Sequence, residues 1–175
     1  MLSPENIALA IILIPMAIMI SYMDIRYRRI PNKLVLLTLI GGIAVNTITR
    51  GSVGFFSSLG GFGLGFALMF FLHAFGTMGA GDVKLFAAIG AVSGLKLVLP
   101  TLFVVAVTGA VFAILKMIHA RRATTTMIGV VQFFVGLLPG QQVPRFEIPN
   151  DRSHTLPYAL PICFGSLLAF FVFHN

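Results

Sequence analysis

The sequence predicts an all-α, polytopic membrane protein, and three observations predict it. The chain is 58% hydrophobic and only 10% charged, with a mean hydropathy of +0.99, whereas soluble domains carry about 25% charged residues. Its apolar residues gather in runs near the length of a bilayer crossing. Ten of the 12 Lys and Arg fall in alternate connections between those runs, the positive-inside pattern. A soluble fold of 175 residues has no core large enough to hide this much Phe, Leu, Ile and Val. A single integral membrane domain over 1–175, without a linker, follows.

About six transmembrane helices are expected, at 6–23, 34–49, 53–75, 82–95, 97–118 and 156–173. The first has no Lys or Arg before its apolar run and no small-x-small cleavage site. It therefore reads as a retained helix rather than a signal peptide. The second and fourth fall short of the roughly 17–25 residues of an ordinary crossing. Gly61 and Gly65 in the third, and Gly90 and Gly94 in the fourth, have the small-xxx-small spacing that lets membrane helices approach closely. Between the last two crossings, "MIGVVQFFVGLL" at 127–138 is apolar but too short to cross. It is expected to be a re-entrant or interfacial segment.

Orientation follows from the cations. Arg26, Arg28, Arg29 and Lys33 follow the first crossing, and Lys84 lies beside the third connection. Lys116, Arg121, Arg122, Arg145 and Arg152 follow the fifth crossing, leaving Arg50 and Lys96 for the other connections. The odd-numbered connections are then cytoplasmic and both termini outside. The net charge of +7 belongs to this topology. With no basic face interleaved with stacking aromatics, nucleic acid is not an expected partner, whereas membrane lipid is.

Five residues are acidic. Glu5 lies at the N-terminus, and Glu147 and Asp151 lie in the polar stretch before the last crossing. Asp24 and Asp82 adjoin the membrane core, and the charge count places both at its cytoplasmic boundary. A carboxylate inside the bilayer costs about 2.5–3.5 kcal/mol on insertion scales, which makes it a functional candidate. Ion pairs within each segment, Asp24 with Arg28 or Asp82 with Lys84, are the plain structural alternative. Two aspartates at one boundary, each beside a helix-breaking stretch, argue instead for a shared site. Two carboxyls in one site cannot both ionise cheaply, so one holds a proton while the other takes one from water. Such a pair hydrolyses a peptide bond with no metal and no covalent nucleophile.

The residues around Asp82 read "GTMGAGDVK" (76–84). Gly79 and Gly81 are expected to allow a sharp turn and close approach of a substrate strand. Asp82 is expected to open the fourth helix, where the helix dipole favours an anion. Lys84 is expected to counter charge near Asp82, and Asn32 to cap the second helix. His73, just before the turn, is expected at the membrane interface. Cys163 is the single cysteine and has a packing role. One cysteine excludes an internal disulfide and a cysteine-based zinc site. His119, His154 and His174 lack metal-ligand spacing. No metal and no other cofactor is expected.

"GAGDVK" together with "DIRYRRIPNK" (24–33) resembles the GxGD aspartic peptidases of membranes, and most of all the type IV prepilin peptidases. In that family the first aspartate precedes a basic stretch and Ile-Pro-Asn, here Ile30, Pro31 and Asn32. The second lies in Gly-x-Gly-Asp-x-Lys, here Gly79, Gly81, Asp82 and Lys84. "LPYALPICFG" (156–165) is similar to the family's Pro-rich approach to its last helix. The resemblance implies catalytic Asp24 and Asp82, and a substrate that is the N-terminal leader of a type IV pilin-like precursor. Cleavage is implied at the cytoplasmic membrane face, just after a glycine. The long bifunctional members carry a four-cysteine zinc domain after the first crossing and also methylate the product. This chain has only a short loop there, and so resembles the short tight-adherence (Flp-type) members. Preflagellin peptidases share the plan. A proton-coupled transporter, relaying protons through the same carboxylates, is the rival from another class.

Overall fold

The computed structural model describes residues 4–75, 78–119 and 158–173. The segment expected at 127–138 lies outside them. The described residues form α-helices and no strand: α1 Pro4–Tyr27, α2 Asn32–Ala74, α3 Ala80–Ser93, α4 Val98–His119 and α5 Ala159–Phe173.

At 43 residues α2 is far longer than a bilayer crossing requires, and it does not run straight. Gly51 leaves the helical region at φ 62°, ψ −143°, a conformation open to glycine because it has no Cβ. Asn46 then donates from Nδ2 to Ser58 Oγ at 2.9 Å. Residues twelve apart in a straight helix would be separated by about 18 Å, so the chain reverses at Gly51. The halves 32–50 and 52–74 form a helical hairpin, and they correspond to the crossings expected at 34–49 and 53–75.

α3 fills the cleft between those halves. From Val83 to Val92 only Lys84 is exposed, and Phe86, Ala87, Ala88, Ala91 and Val92 are wholly inaccessible. A helix apolar all round belongs in the interior. Its fit depends on backbone contact: a Cβ at Gly61 would lie 2.1 Å from the Gly90 carbonyl oxygen, and one at Gly90 2.4 Å from that of Gly61. The two small-residue motifs of the sequence thus meet each other, Gly61 also abutting Gly94. Asn46 seals the far end of this packing, with Nδ2 also donating to the carbonyls of Ala91 at 3.1 Å and Val92 at 3.2 Å. α3 ends at Gly94, at φ 77°, and Leu95 N–H turns back to the Ser57 carbonyl at 3.0 Å.

α5 packs between α1 and α4. A Cβ at Gly165 would fall 2.8 Å from Val105 Cα, and Thr108 Oγ1 donates to the Pro161 carbonyl at 3.2 Å. Ile11, Ile18, Phe103, Val107, Val111 and Ile114 remain exposed on the outer faces of α1 and α4. In a soluble protein such a surface would aggregate; against lipid it is at rest. Among the described residues, three helices are long and apolar enough to cross a membrane, within Asn6–Tyr27, Asn32–Ala74 and Val98–Leu115. The molecule is a multi-pass membrane protein. α3 and α5, at 14 and 15 residues, rise only about 21–23 Å against a hydrocarbon core of about 30 Å.

Candidate active site

One end of the bundle gathers the C-terminus of α1, both ends of α2 and the N-terminus of α3. Arg26, Arg28, Arg29, Lys33 and Lys84 flank this end, whereas Arg50 adjoins the reversal at Gly51 and Lys96 follows α3 at the other. Asp24 sits in the last turn of α1 and Asp82 in the first turn of α3, with 7% and 8% of their surfaces exposed. They lie within each other's electrostatic reach, although 57 residues separate them in sequence. Burial at this level is costly for a carboxylate without partners.

Each aspartate is held by a backbone donor. Gly79 N–H donates to Asp82 Oδ2 at 3.2 Å, and Asp82 N–H returns a bond to the Gly79 carbonyl at 3.1 Å. Ala159 N–H, at the start of α5, donates to Asp24 Oδ2 at 3.1 Å. Among the described residues, the other oxygen of each carboxyl has no hydrogen-bond partner. Below the pair, Leu13, Ala17, Ile20, Leu85 and Ile89 line a small apolar pocket.

The two sequence motifs touch. Arg28 closes α1 with N–H to the Asp24 carbonyl at 2.9 Å and adopts φ 52°. A left-handed residue there redirects the chain, at a cost of about 1–2 kcal/mol for a non-glycine. The Arg28 guanidinium also lies within electrostatic reach of the Asp24 carboxyl. Ile30 follows and packs over Gly81.

Three supporting residues differ from expectation. Gly79 has φ −76° and ψ 148°, extended backbone that any residue adopts, so the turn itself does not require glycine. A Cβ at this position would lie 3.1 Å from Asp82 Oδ2; glycine here makes room for the carboxylate. Asn32 does not cap α2. Pro31 is the capping residue, with no side-chain cap bond, and Asn32 is the first helical residue. Lys84 is exposed and stands two residues from Asp82, about 200° around the helix and hence on the opposite face. Lys84 and Asn32 together line a lateral groove of about 300 Å³ with Leu36, Leu39, Phe62 and Phe66. His73 donates from Nδ1 to the Met78 carbonyl at 2.6 Å, bracing the connection that leads into Gly79.

The sequence reading passed over the contribution of α5. Its backbone donor to Asp24 comes from 135 residues away, and Tyr158 stands within reach of the Asp82 charge. Cys163, one turn further on, is buried and lies within electrostatic reach of both carboxyls.

A bundle of membrane helices that buries two aspartates together, each with one oxygen open, defines a membrane protein with a carboxyl-pair centre. The chain belongs to the type IV leader peptidase family of aspartic peptidases, which it matches over residues 11–114. That region includes both aspartates and stops short of α5. The chain is also similar to the prepilin leader peptidase/N-methyltransferase of Bacillus subtilis (strain 168), with 28% identity over 163 residues. The similarity covers 92% of this chain and 54% of that protein, so the chain spans about half the length of the curated relative it matches. No solved structure matches it.

Proposed function

We propose that this protein is a membrane-embedded aspartic endopeptidase that removes the N-terminal leader of type IV pilin-like precursors at the cytoplasmic face of the inner membrane. The observation that carries the reading is the pair itself: Asp24 and Asp82, buried at one end of the bundle, each anchored through Oδ2 to a backbone N–H. Family membership and the relative's printed activity, prepilin leader cleavage, support the substrate class.

With one proton shared by the pair, the ionised carboxyl takes a proton from water as the water oxygen bonds to the scissile carbonyl carbon. The protonated carboxyl gives its proton to the carbonyl oxygen. Collapse of the resulting gem-diol breaks the C–N bond, and a proton passes to the departing amine. The pair returns to its singly protonated state. The backbone donors hold both carboxyls in place throughout, so little reorganisation accompanies the charge movement.

Co-expression with a small precursor bearing a Gly-then-hydrophobic N-terminus tests this reading. Leader loss is expected by mass spectrometry, resistant to chelators, and the new N-terminus unmethylated. The connection between α1 and α2, 28–31, is too short to hold a methyl-donor domain. An intact precursor would sink the peptidase reading, whereas a methylated product would overturn only the last point.

The topology that accompanies the proposal has six crossings, both termini outside and the carboxyl pair on the cytoplasmic side. Ser52 lies just past the reversal at Gly51 and is exposed. A cysteine at Ser52 is expected to react with an impermeant thiol reagent in intact cells, and one at Ser153 only after lysis. The reverse pattern would invert the sidedness of the site.

A further inference from the structure

The start of α5 is built around the carboxyl pair in a way that helix capping does not explain. Ile162 N–H donates to the Tyr158 carbonyl at 3.2 Å, which makes Tyr158 the residue that caps α5. Caps are usually Ser, Thr, Asp or Asn, whose short side chains reach back to free amide groups. A tyrosine cannot do this. The amide that follows it, Ala159 N–H, is already fixed on Asp24 Oδ2 at 3.1 Å. The backbone of Tyr158 is therefore pinned beside one carboxyl, while its phenol stands within reach of the charge on the other.

The ring is only partly accessible, and among the described residues its hydroxyl has no hydrogen-bond partner. Buried tyrosine hydroxyls ordinarily find one. The Tyr158–Ala159 peptide thus sits directly on the Asp24 carboxyl, and Asp82 lies within electrostatic reach of both that carboxyl and the phenol. A peptide carbonyl placed between the carboxyls for attack would bring its oxygen to a ready O–H donor.

We propose that Tyr158 is a further catalytic residue, its phenol donating a hydrogen bond to the oxygen of the scissile carbonyl as the tetrahedral intermediate forms. The phenol keeps its proton; the proton that neutralises this oxygen comes from the protonated aspartate. The inference rests on the aspartic-peptidase reading. A donor that strengthens only as charge builds on the oxygen lowers the barrier without tightening ground-state binding.

The test uses the full chain in phospholipid vesicles with a pilin-like precursor, and compares wild type, Tyr158→Phe and Asp82→Asn. Tyr158→Phe keeps the ring and its packing. The expected result is a fall in kcat of about 100-fold, typical of losing one such donor, with KM within twofold and an unchanged melting temperature. Wild-type kcat in Tyr158→Phe overturns the proposal, as does a change confined to KM or a lost melting transition. In each case wild-type cleavage and an inactive Asp82→Asn leave the peptidase reading standing. If Asp82→Asn cleaves like wild type, that reading falls and the role of Tyr158 falls with it.

Discussion

Asp82→Asn is expected to lower leader cleavage by about 10³-fold or more while the protein still folds and inserts. Asparagine has nearly the shape of aspartate, and its amide oxygen still accepts the Gly79 N–H that Asp82 Oδ2 accepts at 3.2 Å. What it lacks is a titratable oxygen to take the proton from water or give one to the carbonyl. Asp24→Asn is expected to cost as much, because the amide oxygen still accepts Ala159 N–H and the same chemistry is lost. The double variant is expected to be no worse than either single one, since groups acting as a unit are not additive. Asp24→Glu and Asp82→Glu test position rather than charge. One added methylene moves the carboxyl by more than a pre-aligned pair tolerates, so cleavage is expected to fall here too. Initial rates on a purified precursor decide the matter, with circular dichroism and membrane insertion as controls. A single Asn variant that kept a tenth of wild-type activity would show that its aspartate is not part of the chemistry.

The carboxyl pair was legible because membranes make acidic residues scarce. Among five in the chain, the charge pattern placed Asp24 and Asp82 on one boundary, and the fold brings them together. The hairpin was legible as two apolar runs around Arg50 and Gly51, and Gly51 does adopt a glycine conformation. What failed were inferences drawn from a motif without its three-dimensional context. Asn32 stands where a cap belongs in sequence, but Pro31 takes the capping place. Lys84 is near Asp82 along the chain, yet helical periodicity sends it to the opposite side. The contact of α5 with Asp24 spans 135 residues, and local sequence carries no signal for so distant a backbone donor. Its one trace is a tyrosine at a helix start, where capping preferences offer no reason for one.

Gly61→Ala is expected to have a large effect on stability. Both halves of α2 close on α3, and the closest approach is backbone to backbone, where no side chain can move aside. An alanine Cβ at Gly61 would lie 2.1 Å from the Gly90 carbonyl oxygen and 2.9 Å from the Gly94 carbonyl carbon. Relief requires the helices to separate, which opens contacts along the whole of α3, including those that set Asp82 against Asp24. Overpacking of this kind costs about 1–3 kcal/mol and occasionally more. Against that stands the gain of up to about 1 kcal/mol when alanine replaces glycine in a helix. Gly63 separates the two terms: it lies two residues away on the same half of α2, and a Cβ there meets nothing within 4 Å. Gly63→Ala is therefore expected to melt at or slightly above the wild-type temperature in detergent, and Gly61→Ala well below it. Cleavage is expected to fall with Gly61→Ala and persist with Gly63→Ala, because the glycine contact fixes how α3 seats and α3 carries Asp82. Equal melting temperatures for the two variants would mean that α3 is not held by this contact.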